Sequence, residues 1–322
     1  MEVTIFGLKL TLEQIAFTIK IGNFHWNVYW YGIIIALGFV LALIYGYTNA
    51  KRFGIDVDRM LDVILVTVPV SILCARAYYV IFDGEKLGGI KDFFGFGDSS
   101  GFSGLAIYGA VIGAFLTGAL MCKLRKINIP DMFDLASLGF LIGQGVGRWG
   151  NFVNQEAFGT HTGSSWWGMQ SQYTIDDQGI GLVHPCFLYE SIWCIAGFFL
   201  LHYLSKKRKF SGQVFLMYCA WYGFGRFFIE LLRTDSLRLG VTRVSALLAL
   251  LLFVASVIAN EFISKIVASN AATYNAVFDD PDDAAEDNAE KASETEDKTA
   301  KESVEDDIAD DDLKEKENDE DN

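Results

Sequence analysis

Seven runs of apolar residues dominate this 322-residue chain, at 29–48, 60–82, 105–122, 134–147, 185–204, 213–232 and 243–262. A membrane-spanning helix needs about 20 mostly apolar residues, because without water every backbone N–H and C=O must be paired inside the segment. The pattern predicts an all-α membrane protein of seven transmembrane helices, with polar outer-side loops forming a small head region. The fourth run is short and leads directly into a glycine-rich polar stretch. Residues 1–27 lack a basic segment followed by an apolar core, so no cleavable signal peptide is expected and the first run itself directs insertion.

Charge divides the chain into two unlike parts. From Asp279 to Asn322 there are 22 Asp/Glu and 5 Lys/Arg, whereas residues 1–278 hold 18 Asp/Glu and 21 Lys/Arg. The acidic segment has no apolar periodicity and reads as disordered. This predicts a membrane body over residues 1–268 and a disordered acidic tail over 269–322. With the runs alternating across the bilayer, loops 49–59, 123–133 and 205–212 share one side and contain 10 Lys/Arg in 30 residues. The 97 residues assigned to the other side contain 7. Basic loops stay cytoplasmic, which places the amino terminus outside and the tail in the cytoplasm. The anionic inner leaflet should repel that tail, and no nucleic-acid partner is expected. The five cysteines, Cys74, Cys122, Cys186, Cys194 and Cys219, lie in or at the ends of runs without a C-x-x-C pair, and read as buried small apolar residues.

The stretch GQGVGRWGNFVNQEAFG, Gly143 to Gly159, contains a literal G-x-G-x-x-G. A dinucleotide loop needs a preceding strand, and the segment before this one is a membrane run. Gly139, Gly143 and Gly147 recur every four residues, a small-residue stripe that allows membrane helices to approach closely. Packing leaves unexplained the polar set Arg148, Asn151, Asn154 and Glu156 that follows. Arg226, Glu230 and Arg233 form a second set at i, i+4 and i+7, one stripe of the sixth run. They could be a buried ion pair fixing helix packing or part of a site. His184, Tyr189 and Glu190 open the fifth run, and Arg76 interrupts the second. Four runs thus direct polar groups toward one leaflet, which suggests a shared polar cavity.

These residues resemble the bacterial prolipoprotein diacylglyceryl transferases. The resemblance rests on G-R-x-x-N-F-x-N-x-E at Gly147-Arg148-Trp149-Gly150-Asn151-Phe152-Val153-Asn154-Gln155-Glu156, followed by Gly159. Trp30-Tyr31-Gly32, Arg76 with Tyr79, His184-Pro185 with Tyr189-Glu190, and Gly225-Arg226 with Glu230 agree with it in order, over roughly residues 20–262. Two positions depart. Many relatives carry His-Gly-Gly where this chain has Tyr108-Gly109-Ala110, and many carry a histidine where it has Tyr29, so this chain has no histidine base at either place.

The resemblance implies a multi-pass enzyme of the bacterial plasma membrane. It would transfer the diacylglyceryl group of phosphatidylglycerol to the lipobox cysteine of prolipoprotein signal peptides, forming a thioether and releasing glycerol phosphate. The residue types suit that chemistry. Arg148 and Arg226 can stabilise a phosphate leaving group through fork geometry that lysine lacks. Glu156 or Glu230 could take the thiol proton or orient an arginine, and Tyr108 could donate a hydrogen bond or be an interfacial aromatic. Tyr31, Arg76, Asn151, Asn154 and His184 join the two arginines as candidates for binding phosphatidylglycerol. No metal cluster is visible and no cofactor is implied. Two other readings stay open: a lipid transporter or lipid-binding membrane protein without chemistry, and an intramembrane hydrolase with a dispersed nucleophile.

Overall fold

A computed structural model describes residues 2–21, 24–82, 93, 104–234, 238, 239 and 242–278. The fold is mostly helical. Helices α1 (Trp30–Asn49), α2 (Val57–Phe82), α3 (Ile107–Leu124) and α4 (Ile129–Asn154) are followed by a short α5 (Gln172–Gln178), then α6 (Cys186–Ser205), α7 (Gln213–Leu232) and α8 (Val244–Phe278). Among the described residues, five segments are long and apolar enough to cross a membrane: Trp30–Phe53, Val57–Phe82, Ile107–Leu124, Cys186–Ser205 and Val244–Ala271. The chain is a multi-pass membrane protein. Helices α4 and α7 fall outside that set for a physical reason. They carry the polar side chains, Asp131, Asp134, Gln144, Arg148 and Asn151 on α4 and Arg226 and Glu230 on α7. Their apolar character is diluted by these side chains, several of which form the site.

The chain divides into two units, Met1–Phe262 and Ile263–Asn322. Of the second, residues 263–278 are described and are helical, while the acidic segment from Asp279 onward lies outside the described residues.

Small residues set the helix contacts. The stripe on α4 faces α1: a Cβ on Gly139 would lie 3.6 Å from Ala42 Cβ, one on Gly147 would lie 3.1 Å from Ile35 Cδ1, and one on Gly38 would meet the Gly143 carbonyl at 3.3 Å. Backbones this close gain dispersion contacts and exclude lipid, which is what drives association where no hydrophobic effect operates. Gly109 and Gly113 bring α3 against Cys74 of α2 in the same way.

The end of the bundle that carries the basic loops is closed by Phe53, 1% exposed, whose ring has the guanidinium carbons of Arg52 and Arg208 at 5.0 and 4.9 Å. Beside it, the fully buried Asp134 accepts from Arg208 at 3.0 Å and from the backbone N–H groups of Gly212 and Phe215 at 2.9 and 2.8 Å. It thereby caps the amino terminus of α7 from a neighbouring helix.

The opposite end carries strands, and here the all-α expectation is modified. Strands β1 (Glu2–Ile5), β2 (Leu8–Thr11) and β5 (Met169–Ser171) form an antiparallel sheet in the order β2-β1-β5. The β1–β2 turn places Phe6 and Gly7 at φ 49° and 81°, the two left-handed positions of a tight hairpin. Strands β3 (Ile15–Ile21) and β4 (Phe24–Tyr29) pair with Ile19 opposite Trp26, and β4 runs directly into α1. A two-residue pair, β6 (Arg238–Leu239) and β7 (Thr242–Arg243), precedes α8. Val3 and Met169 of the sheet pack with Phe152, Val183 and Phe187, so the sheet rests on the ends of α4 and α6 that hold the polar residues.

Candidate active site

Arg148 is on the last two turns of α4, Glu190 is the fifth residue of α6, and Arg226 and Glu230 lie near the end of α7. These ends meet beneath the three-stranded sheet. Glu190, 2% exposed, uses both oxygens of its carboxylate: Oε1 accepts from Nη2 of Arg148, and Oε2 accepts from Nη1 of Arg226 at 3.0 Å. Arg226 continues through Nη2 to Oε2 of Glu230 at 2.6 Å, an i,i+4 pair along α7. On the other side, Arg148 Nη1 donates to Asn151 Oδ1 at 3.2 Å, and Asn151 Nδ2 donates to Glu156 Oε1 at 2.7 Å. The result is a continuous line, Glu156–Asn151–Arg148–Glu190–Arg226–Glu230, built from three helices.

A buried carboxylate between two guanidiniums offsets the repulsion of two like charges held side by side at low dielectric. The guanidiniums are not sealed in. Their side chains keep 20% and 18% exposure for Arg148 and Arg226, against 3% and 2% for Glu190 and Glu230. Each guanidinium has five donors, more than its partners here use. Among the described residues Glu156 makes no ion pair.

The backbone after α4 fixes Glu156. The Glu156 N–H bonds to the Asn151 carbonyl at 3.0 Å and the Gln155 N–H to the Phe152 carbonyl at 3.1 Å, a Schellman ending with Gln155 at φ 59° where glycine is usual. Ala157 follows at φ 58°. Two left-handed non-glycine residues flank Glu156, and such conformations persist only where the surroundings hold them. Gly159 is required by crowding: a Cβ there would lie 2.9 Å from Cys186 Sγ, from His184 Cβ and from the Leu232 carbonyl.

Tyr31, on the first turn of α1, lies over Gly150, where a Cβ would come within 2.8 Å of its ring. It stands within electrostatic reach of Glu156 and Arg148. Tyr31, Asn154 and Glu156 line an open cleft of about 650 Å³ together with Gln14, Asn27 and Tyr173.

The other candidates sit around this line. His184 Nδ1 is 3.1 Å from the Tyr189 hydroxyl, which accepts from Trp167 Nε1 at 2.7 Å. Burial pulls the His184 pKa below its ordinary value. Arg76 is 2% exposed and donates to the Phe93 and Gly104 carbonyls at 3.3 and 3.2 Å, holding backbone that follows α2. Tyr108, at the start of α3, is 45% exposed with its ring 6.4 Å from that of Tyr78. Among the described residues no hydrogen bond joins Tyr108 to the arginine line. Glu190 is legible in the sequence as a polar residue opening an apolar run and as part of the family-like Tyr189-Glu190 piece, but its place between the arginines depends on two helices distant in sequence. Tyr222, one turn before Arg226 and within electrostatic reach of Glu190 and both arginines, carried no signal of its own.

The sequence profile of the family described as prolipoprotein diacylglyceryl transferase matches residues 14–260. The phosphatidylglycerol–prolipoprotein diacylglyceryl transferase of Clostridioides difficile is 39% identical over 257 residues, covering 79% of this chain and 96% of its own. Proteins of the same name from Limosilactobacillus reuteri and Bacillus cytotoxicus are each 41% identical, over 265 and 253 residues, covering 78% and 77% of this chain and 91% and 90% of theirs. The site-forming stretches, from Tyr31 to Glu230, all fall inside the matched region, and the chain belongs to the prolipoprotein diacylglyceryl transferase family.

Proposed function

We propose that this chain moves the diacylglyceryl group of phosphatidylglycerol onto the lipobox cysteine of prolipoproteins, and that the line of residues centred on Glu190 is where it does so. Family membership supports the reaction. The observation that carries its location is the single buried carboxylate holding Arg148 and Arg226 side by side.

The cysteine sulfur attacks the diacylglyceryl carbon that bears the phosphate ester oxygen. A C–S bond forms, that C–O bond breaks, and the electron pair leaves with glycerol phosphate. Negative charge grows on the phosphate oxygens, and two guanidiniums already fixed in a poorly hydrated site can stabilise it without reorganising. The thiol must first lose its proton, since the thiolate is the nucleophile and a free thiol has a pKa of about 8.5. Of the two candidate acceptors, Glu230 is held by Arg226 at 2.6 Å, whereas Glu156 faces the cleft and is held by a neutral amide. This favours Glu156 as acceptor and Glu230 as the group that orients Arg226. Tyr31, Asn151 and Asn154 lie where they can hydrogen-bond the headgroup. Tyr108 offers an exposed hydroxyl, and His184 and Arg76 act through the backbone and rings they hold.

In this reading all seven long helices cross the bilayer, α4 and α7 among them, because their polar groups pair with one another inside the bundle. The basic loops lie in the cytoplasm, the strand-bearing end lies outside, and residues 269–322 form a cytoplasmic appendage to a body spanning residues 1–268. Purified protein supplied with phosphatidylglycerol labelled in its acyl chains should transfer label to a lipobox peptide as a thioether, and not to the same peptide with serine for cysteine. Absence of transfer from folded protein would overturn the assignment.

A further inference from the structure

Helices α6 and α7 share a contact that the reaction does not itself call for. The Trp193 and Trp221 indoles stack with centroids 4.1 Å apart and planes 12° apart. Trp193 Nε1 donates to the Trp221 carbonyl at 3.0 Å, and Trp221 Nε1 donates to the Trp193 carbonyl at 3.0 Å. Each indole lies over the glycine one turn after the other tryptophan. A Cβ on Gly197 would overlap Nε1, Cδ1 and Cε2 of Trp221, and a Cβ on Gly225 would overlap the same atoms of Trp193. The sequence thus holds W-x-x-x-G twice, Trp193 with Gly197 and Trp221 with Gly225, in two antiparallel helices. The two copies exchange donors, acceptors and ring sites as a local two-fold pair.

An indole N–H at membrane depth needs an acceptor. Here each acceptor is a backbone oxygen of the other helix, so satisfying both donors fixes where one helix stands along the other. Glu190 lies three residues before Trp193, about 4.5 Å along α6, and Arg226 lies five after Trp221, about 7.5 Å along α7. In antiparallel helices both displacements run toward the same end. The exchange therefore sets the register at which Glu190 Oε2 meets Arg226 Nη1 at 3.0 Å. A slip of one turn, about 5.4 Å, would separate them.

We propose that Trp193, Trp221, Gly197 and Gly225 are positioning residues for the reaction: a reciprocal lock on the α6–α7 register that keeps the Glu190 carboxylate between the two arginines. This rests on the proposed role of that carboxylate and its arginines. The lock is symmetric, which separates it from a local effect. Gly225 adjoins Arg226, but Gly197 is seven residues beyond Glu190 on the far side of the stack. Under the lock, Gly197→Ala and Gly225→Ala should each lower kcat about tenfold or more per folded molecule, with KM for phosphatidylglycerol changed less than about threefold. Rescue should be crosswise: Trp193→Phe, which puts a smaller ring over Gly225 at the cost of one of the two N–H donors, should restore part of the rate of Gly225→Ala but not of Gly197→Ala, and Trp221→Phe the reverse.

The test is kcat and KM for thioether formation in these four variants and in the four doubles that pair each phenylalanine with each alanine, with Arg226→Lys measured alongside and thermal midpoints recorded for each. Low kcat in both alanine variants with crosswise rescue supports the lock. Normal kcat in Gly197→Ala, or loss without crosswise rescue, or a lowered midpoint with unchanged kcat, overturns it. If Arg226→Lys is also fully active, the reading of the arginine centre fails; if Arg226→Lys is crippled while the alanine variants are normal, only the lock fails.

Discussion

Glu190 accepts from two arginines through opposite oxygens, and that one residue turns three separate polar turns into a site. Sequence reasoning could nominate Arg148, Asn151, Glu156, Arg226 and Glu230 because an ionisable group in an apolar run needs a reason to be there. It could not rank them, since their pairing is decided by which faces of α4, α6 and α7 meet. Tyr108 tests the outer edge of the site. Its side chain is exposed, and a phenol is a poor base at neutral pH but a good hydrogen-bond donor. Tyr108→Phe should lower turnover about tenfold, the loss of one hydrogen bond of roughly 1.5 kcal/mol; an unchanged rate would leave Tyr108 an interfacial aromatic. His184 gives a pH signature. Its pKa is depressed by burial, which disfavours the charged ring. The unfolded chain takes up this proton first as pH falls, so the stabilising contribution is present above about pH 6.5 and is lost below it. The thermal midpoint should therefore drop more between pH 7 and 5.5 in the wild-type chain than in His184→Gln. Parallel drops would exclude His184 as the source.

At the scale of elements, the apolar runs located the long helices and the four-residue glycine stripe marked the close-packing face of α4, because both depend on local periodicity alone; that α1 lies on that face was not legible. The head strands also had a local signal, since FTIKI at 17–21 alternates apolar and polar residues, but it lies outside the long apolar runs. Asp134 had none: its three donors come from the α6–α7 connection and the first turn of α7. The glycines can be told apart by what lies over them. Gly147 faces the tip of a flexible isoleucine at 3.1 Å, whereas Gly150 lies under the Tyr31 ring at 2.8 Å. Gly147→Ala should shift stability by less than about 1 kcal/mol, and Gly150→Ala should cost about 1–3 kcal/mol through overpacking and displace Tyr31. Thermal unfolding in detergent, read beside turnover, checks both; equal behaviour of the two variants would contradict the contact.

For the whole molecule, charge and hydropathy agree on a membrane body with basic loops gathered at one end and polar chemistry at the other. In a background lacking the five native cysteines, a cysteine at Ser165 should react with an impermeant thiol reagent in intact cells and one at Lys207 should not; the reverse pattern would invert the proposed orientation. The central claim is that two arginines, held side by side by Glu190, stabilise the departing phosphate. The measurement that reaches it most directly is thioether formation by Arg148→Lys and Arg226→Lys at matched amounts of folded protein. Lysine keeps the charge and loses the fork, so each variant should fall about 10²-fold or more, the scale of losing a preorganised donor. Near-normal turnover in both would contradict the account and return these arginines to helix packing.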